Sequence, residues 1–386
     1  MIRRSVLLYF ASFLVLGLAL SVLGPALTQL RERSATGIGG IGVLFVGQSL
    51  GYIVGSFAAG RVFDRFDGHR VFAIGMCILG AGLGLVASFD SLSALFGVFV
   101  VIGFGGASID VGANTLIVWE LRDSVGRSMN ALHLCFGLGA LSAPLLVHVG
   151  LTAATRSAAV ICVALAVCAL AIPAPAVPGR AREEHSETTP RLLVMFALFF
   201  FLYVGLEIGF AGWIHTYGEE IQFSDLAATW LTTTFWLGFT SGRVLASALA
   251  NRVAPHVMLV ASCGLTIVAA VGLIVGDGRE APVWVGTAVI GVATAPQFPV
   301  MLTYIERHVH VTGAATAWFI GGAGFGGLVF PWVIGRWFDA SGATALPWAM
   351  LLLGVLTFGS FAVTKRVLDS ERRGRVAGPP APPPST

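Results

Sequence analysis

Residues 47–65 read GQSLGYIVGSFAAGRVFDR, and residues 234–252 read TFWLGFTSGRVLASALANR. Laid one on the other at a spacing of 187 residues, they match Gly51 with Gly238, Gly55 with Gly242 and Arg65 with Arg252, while Asp64 meets Asn251. Each stretch is an apolar run marked by small residues four apart, followed by a basic turn. Small residues at that spacing give a helix one face on which a neighbouring backbone can lie close, the packing device of helices in lipid. The ladder Gly47, Gly51, Gly55 and its mate Gly238, Gly242 are read as that device rather than as chemistry. The same spacing runs further: Gly126 meets Gly313, Gly137 meets Gly324, Gly139 meets Gly326 and Pro144 meets Pro331. Single glycine matches are common by chance in a chain with 49 glycines, but one spacing held from the second apolar run to the fifth is not. The chain therefore reads as an internal repeat of two halves.

Composition says what solvent the halves meet. Of 386 residues, 56% are apolar and 11% charged, too few charges to cover a water-soluble protein of this size. A bilayer core takes about 20 apolar residues per helix. Apolar runs of that length fall near 6–28, 38–60, 70–88, 92–115, 128–150 and 155–174, then near 192–215, 226–248, 256–276, 282–305, 313–335 and 344–367. The expected fold is thus all-α and integral to the membrane, twelve transmembrane helices in two pseudo-symmetric six-helix bundles. Residues 1–174 form the first bundle, 175–191 a proline-rich and charged linker, 192–367 the second bundle, and 368–386 a disordered tail ending GPPAPPPST.

The basic residues set an orientation. With the N-terminus inside, only Arg31, Arg33, Arg156, Arg279 and Arg336 of the 23 Lys and Arg lie outside. That bias puts both termini in the cytoplasm. A basic MIRR precedes the first span, which is too long for a secretory leader and lacks a small-residue cleavage site, so it is read as retained. One lysine against 22 arginines fits a GC-rich coding bias and, with it, a bacterial inner membrane. The formal charge of +3 sits in the loops, where it sets topology; no nucleic-acid partner is implied. The five cysteines lie in apolar runs with no CxxC pair, which argues against a disulfide or zinc framework.

The turn after the second span, GRVFDRFDGHR, resembles the signature of the major facilitator superfamily. Gly60, Asp64, Arg65, Gly68 and Arg70 carry the match, with Asp67 as an extra residue before Gly68. The resemblance implies two six-helix halves rocking about a site at their interface. It also makes this turn a conformational latch, in which Asp64 accepts charge-assisted hydrogen bonds from the other half. GASIDVGANTLIVW in the fourth span resembles the fucose permease pattern of an acid followed four residues later by asparagine, here Asp110 and Asn114. NALHLCFGLGALSAPLL, EIGFAGWIHTYGEE, FWLGFTSGRVL, APQFPVMLTYIER and GGLVFPWVIGRWFD are similar to the sodium-dependent glucose transporter branch. The resemblance implies a secondary active transporter of a sugar or other small polar solute, coupled to a proton or sodium ion. It departs in the first span, where SVLGPALTQL lacks the permease's carboxylate, so the coupling mechanism does not carry over whole.

Carboxylates inside spans are informative because a charge at the bilayer centre costs about 2.5–3.5 kcal/mol on insertion scales. Asp110 and Glu207 are the two that fall well inside, and both are candidates for ion coupling. The 187-residue spacing pairs Asp110 with Gln297, so the two are expected to face one cavity and hold a substrate's hydroxyls, beside Asn114 and His133. Trp236 and Trp318 offer aromatic platforms for a sugar ring. Trp213 and Trp230 serve either that purpose or as interface anchors. Arg243 is either a snorkelling end charge or the partner of an acid.

Efflux antiport is the rival reading. Exporters often carry Gly-Pro followed by paired glycines in the fifth span, whereas GALSAPLLVHV has Ala143 before Pro144 and no such pair. An intramembrane enzyme is disfavoured: the eight histidines are scattered, and HExxH, GxSxG and clustered Asp pairs facing a metal are missing. No cofactor or resident metal is expected, and one bundle holds a complete transport path, so a monomer suffices. If the turn is a latch, Asp64→Asn will slow transport in a flux assay; an unchanged rate would remove that role.

Overall fold

The computed structural model describes residues 3–63, 65–122, 125–175, 190–309 and 313–376. Helices α1 (Arg4–Ser21) and α2 (Leu23–Arg33) make the first span, broken at Val22. Pro25 causes the break: it has no N–H, and its ring crowds the carbonyl four residues back. The short α3 (Ile38–Ile41) leads into α4 (Val43–Phe63), then α5 (Gly68–Leu85) and α6 (Leu92–Leu121). Helix α7 (Val125–Ala171) is one 47-residue run turned at Gly150, whose backbone leaves the helical region (φ 164°, ψ 113°). It therefore supplies both the fifth and the sixth expected spans.

The second half repeats the order with α8 (Pro190–Glu220), α9 (Asp225–Leu249), α10 (Pro255–Gly276), α11 (Glu280–Thr294), α12 (Gln297–Glu306), α13 (Gly313–Ser341) and α14 (Ala345–Val376). Pro296 and Pro299 interrupt the tenth span between α11 and α12, as Pro25 does the first. Among the described residues, nine stretches are long and apolar enough to cross a membrane. Arg127–Ala171 and Trp318–Ser370, 45 and 53 residues, are long enough to cross twice. Helix α9 falls outside the nine because it is threonine-rich. Two of its hydroxyls are satisfied inside the helix, Thr232 donating to the Ala228 carbonyl (3.3 Å) and Thr233 to that of Thr229 (3.1 Å).

Several glycines of the repeat sit at backbone-to-backbone contacts. A Cβ on Gly139 would strike the Leu14 carbonyl oxygen, and one on Gly326 would strike that of Phe201. Both members of these two pairs are 187 residues apart, so the first and fifth spans pack as the seventh and eleventh do. The second and fourth spans repeat differently. Gly51 lies against the Val100 carbonyl and Gly238 against that of Ala288; Gly103 lies against Gln48 and Gly291 against Phe235. Here the second-span residues keep the 187-residue spacing, while the fourth-span residues are 188 apart. One residue has been gained before the tenth span. The structural mate of Asp110 is therefore Phe298, not Gln297 as the uniform spacing suggests. One residue turns a helix by about 100°, which moves Gln297 off the face that Asp110 occupies.

One further expectation changes. Helix α14 runs to Val376, past the expected start of the tail at 368; residues 377–386 lie outside the described residues, as do Asp64 and 176–189 of the linker. Asp67, the extra residue of the signature turn, is the N-cap of α5, its carboxylate accepting from the Arg70 N–H at 3.0 Å. Gly60, Arg65 and Arg70 are exposed, and Gly68 is buried against Leu116.

The halves meet where α7 packs on α9, α13 on α3 and α4, and α2 on α8. Gly24 and Gly212 bring α2 and α8 backbone to backbone, a Cβ on Gly24 lying 2.9 Å from the Ala211 carbonyl. The hydrogen bonds that cross between the halves among the described residues all lie at the end away from the termini. Thr28 Oγ1 donates to Glu219, the Gly39 N–H donates to Asp339 (2.9 Å), and His148 Nδ1 pairs with Asp225 (2.6 Å). Gly139→Val will lower the melting temperature of the purified protein, by about 1–3 kcal/mol of stability, because no rotamer change relieves a clash with a carbonyl. Gly264→Val, with nothing within 4 Å of its Cβ, is the control expected to change little.

Candidate functional site

Three pairs of side chains four residues apart, each on one face of its helix, converge where the halves meet. On α6, Asn114 Nδ2 donates to the Asp110 carboxylate Oδ1 (2.8 Å) and to the Asp110 carbonyl (2.9 Å). On α8 stand Tyr203 and Glu207, and on α9 Phe239 and Arg243. The other oxygen of Asp110 accepts from the Tyr52 hydroxyl of α4, so both carboxylate oxygens are engaged within the first half.

Arg243 connects these groups across the interface. Its guanidinium carbon lies 4.8 Å over the Phe239 ring, and its charge acts on Asp110 and His133 of the first half and on Glu207 of the second. It is neither a snorkelling end charge nor a tight ion pair: among the described residues no carboxylate lies within 4.0 Å of it. A half-buried cation facing two half-buried carboxylates at longer range is an electrostatically soft arrangement, open to rearrangement when a polar ligand or an ion enters.

Several polar atoms here lack partners. Tyr203 Oη, Arg243 Nε and Thr240 Oγ1 are buried without a hydrogen bond. Most buried polar atoms find partners, so orphans gathered at one interface call for a reason. His133 is half-buried beside them, edge-on to Phe13 at 5.7 Å. Trp236 is buried and bridges the halves, edge-on to Phe136 at 6.4 Å.

Other expected residues lie elsewhere. Gln297, 1% exposed, donates to Thr266 Oγ1 (3.1 Å) and to the Ala293 carbonyl (3.2 Å), within its own half. Trp318 is 54% exposed on α13. Trp213 is fully buried at the other end of the interface, its indole N–H donating to the Pro331 carbonyl (2.8 Å) and its ring stacked on Phe338. Tyr52 and Tyr203 were not singled out by sequence. A signal was there: the chain has five tyrosines, and Tyr203 stands one helical turn before Glu207 in an otherwise apolar run.

This fold agrees with what the chain is similar to. The model of the Major Facilitator Superfamily matches residues 8–331. The chain belongs to that superfamily. Among curated relatives, "Sodium-dependent glucose transporter 1A" of Mus musculus is 27% identical over 372 residues, covering 84% of this chain and 88% of the relative. "Glucose/mannose transporter GlcP" of Bacillus subtilis is 23% identical over 364 residues, covering 87% and 88%. Among solved structures, a mutant of the nucleoside transporter NupG superposes with a TM-score of 0.77 at 17% identity, covering 94% of this chain and 99% of that one. A D-xylose-proton symporter superposes with a TM-score of 0.74 at 13% identity, covering 92% and 96%. The superposed structures speak to the fold alone.

Membership in the Major Facilitator Superfamily makes the chain a multi-pass membrane carrier rather than an enzyme, and the relatives found are those its sequence motifs resemble. In this carrier Asn114 is the nearest donor to Asp110 on its own helix. Asn114→Ala removes a charge-assisted hydrogen bond and leaves Oδ1 without it, at a cost of about 1–3 kcal/mol. Thermal unfolding in detergent will show the loss, and Asp110→Asn in the same background will recover part of it by removing the charge.

Proposed function

We propose that the chain is a secondary active sugar transporter that works by alternating access, driven by a proton or sodium gradient. The observation that carries this is the cluster of Arg243, Tyr203 and Thr240, with their unpaired polar atoms, opposite Asp110 and His133 across the interface. A sugar presents hydroxyls that both donate and accept. It can therefore satisfy a guanidinium N–H, a phenol and a threonine hydroxyl at once, while Trp236 and Phe239 provide apolar faces for its ring. The names of the sodium-dependent glucose transporters and of the glucose/mannose transporter among the relatives support the same substrate class.

Coupling falls to Asp110 and Glu207. Each is a carboxylate inside a span and within the field of Arg243, so a proton or a sodium ion arriving at either alters the balance that holds the guanidinium. The side on which the halves are tied, at Thr28, Gly39 and His148, is the outside in a cell inner membrane with both termini cytoplasmic.

The test is uptake of a labelled monosaccharide panel into liposomes, with an imposed pH gradient and an imposed sodium gradient run separately. One gradient is expected to drive accumulation of at least one sugar. Asp110→Asn and Arg243→Gln are each expected to lower it tenfold or more. Counterflow of lipophilic cations with no sugar accumulation under either gradient would overturn the reading in favour of efflux.

A further inference from the structure

At the tied end of the interface, away from the site just described, α8 ends in His215 and Glu219, one helical turn apart on one face. Ser224 caps the next helix, its hydroxyl accepting from the Ala227 N–H, and this places Asp225 in the first turn of α9. The three side chains come together. His215 Nδ1 lies 3.7 Å from Glu219 Oε2, His215 Nε2 lies 3.6 Å from Asp225 Oδ1, and one ligand atom from each residue falls within 4.8 Å of the other two. Donor atoms around a tetrahedral zinc with bonds of about 2.0–2.1 Å stand roughly 3.3 Å apart, so the three must draw in by on the order of 1 Å to hold one ion.

A second observation points into the same spot. His215 is 3% exposed, and its Nδ1 has no hydrogen-bond partner, while Nε2 lies 3.5 Å from Thr229 Oγ1. A histidine whose Nε2 lies by Thr229 and Asp225, with Nδ1 buried, short of a hydrogen bond and 3.7 Å from Glu219 Oε2, has the form of a metal ligand and its outer support. Asp225 is 61% exposed on its side chain, which gives an ion a way in from solvent.

The two carboxylates are also held from the other half. Thr28 Oγ1 of α2 donates to Glu219 Oε2, and His148 Nδ1 of α7 pairs with Asp225 Oδ2 at 2.6 Å. Neither residue belongs to the His–Glu–Asp set; each fixes the orientation of a carboxylate that does.

We propose that His215, Glu219 and Asp225 bind a divalent transition cation of the zinc type, and that Thr28 and His148 complete the site only when the halves are closed at this end. One imidazole nitrogen with two carboxylates and a position left for water suits zinc, whereas magnesium and sodium favour all-oxygen sites. A cation that binds the closed arrangement better than the open one shifts the population towards it. Zinc is thus a brake on the carrier, acting at the end opposite the termini. The inference does not depend on the identity of the transported solute.

The test is calorimetric titration of the purified, chelator-stripped full chain in detergent with zinc chloride, with melting temperature as a second readout. The wild type is expected to bind about one zinc per chain and to melt at a higher temperature with zinc present. Asp225→Asn and Glu219→Gln, which keep shape and lose charge, are expected to raise the Kd at least tenfold and to abolish the thermal shift. His148→Gln, at a residue outside the ligand set, is expected to raise the Kd about threefold or more. Zinc binding that is equal in the wild type and Asp225→Asn would overturn the site. Wild-type affinity in His148→Gln would overturn its link to closure of the halves.

Discussion

A single guanidinium, Arg243, faces Asp110 from one half and Glu207 from the other in the middle of the interface. Removing such a charge from water costs several kcal/mol, and attraction offsets that cost only when partners are placed well. The chain meets this requirement with paired side chains one helical turn apart. Asn114 and Tyr52 hold Asp110, Phe239 lies under Arg243, and Tyr203 stands beside Glu207. Because the two carboxylates sit on different halves and Arg243 contacts neither tightly, the electrostatics of the middle are tied to how the halves are placed. This is the physical basis on which a proton, an ion or a polar solute can bias a rocking motion.

The rigidity needed for such a motion comes from backbone contacts within each half. Gly139 on Leu14 and Gly326 on Phe201 fasten the first and fifth helices of the two repeats in the same way. Gly51 and Gly103 in the first half, and Gly238 and Gly291 in the second, do so for the helices between. Without a hydrophobic drive between helices in lipid, close packing of small residues holds a bundle together. Contacts between the halves are of another kind: aromatic packing in the middle, and polar bonds at the end away from the termini. Bodies packed tightly within and joined by a few polar bonds are suited to moving as units.

Much of this was legible in the sequence. The apolar runs fall on helices, the repeat appears as paired glycine contacts, and Asp110 with Asn114 form a bonded pair as their four-residue spacing implies. Gln297 marks where the reading failed. A repeat aligned on glycines carries one spacing along the chain, yet the structure gains one residue before the tenth span, and on a helix a single residue changes the face. Trp318, read as an aromatic platform, is 54% exposed, and hydropathy says nothing of the direction in which a side chain points.

The sequence by itself determined the class of the molecule: a membrane-spanning, helical, two-fold repeated carrier. Composition, run length and the period of its glycines follow directly from the demands of a bilayer. Tertiary structure alone decided which polar residues meet. Tyr52 joins Asp110 over 58 residues, Thr28 reaches Glu219 over 191, and His148 reaches Asp225 over 77. Those meetings depend on how helices rotate and cross, and rotation about a helix axis leaves no trace in hydropathy. The cluster of His215, Glu219 and Asp225 was hidden for the same reason. Its histidine and glutamate lie on one face of α8, but the third member is brought in only by the turn into α9.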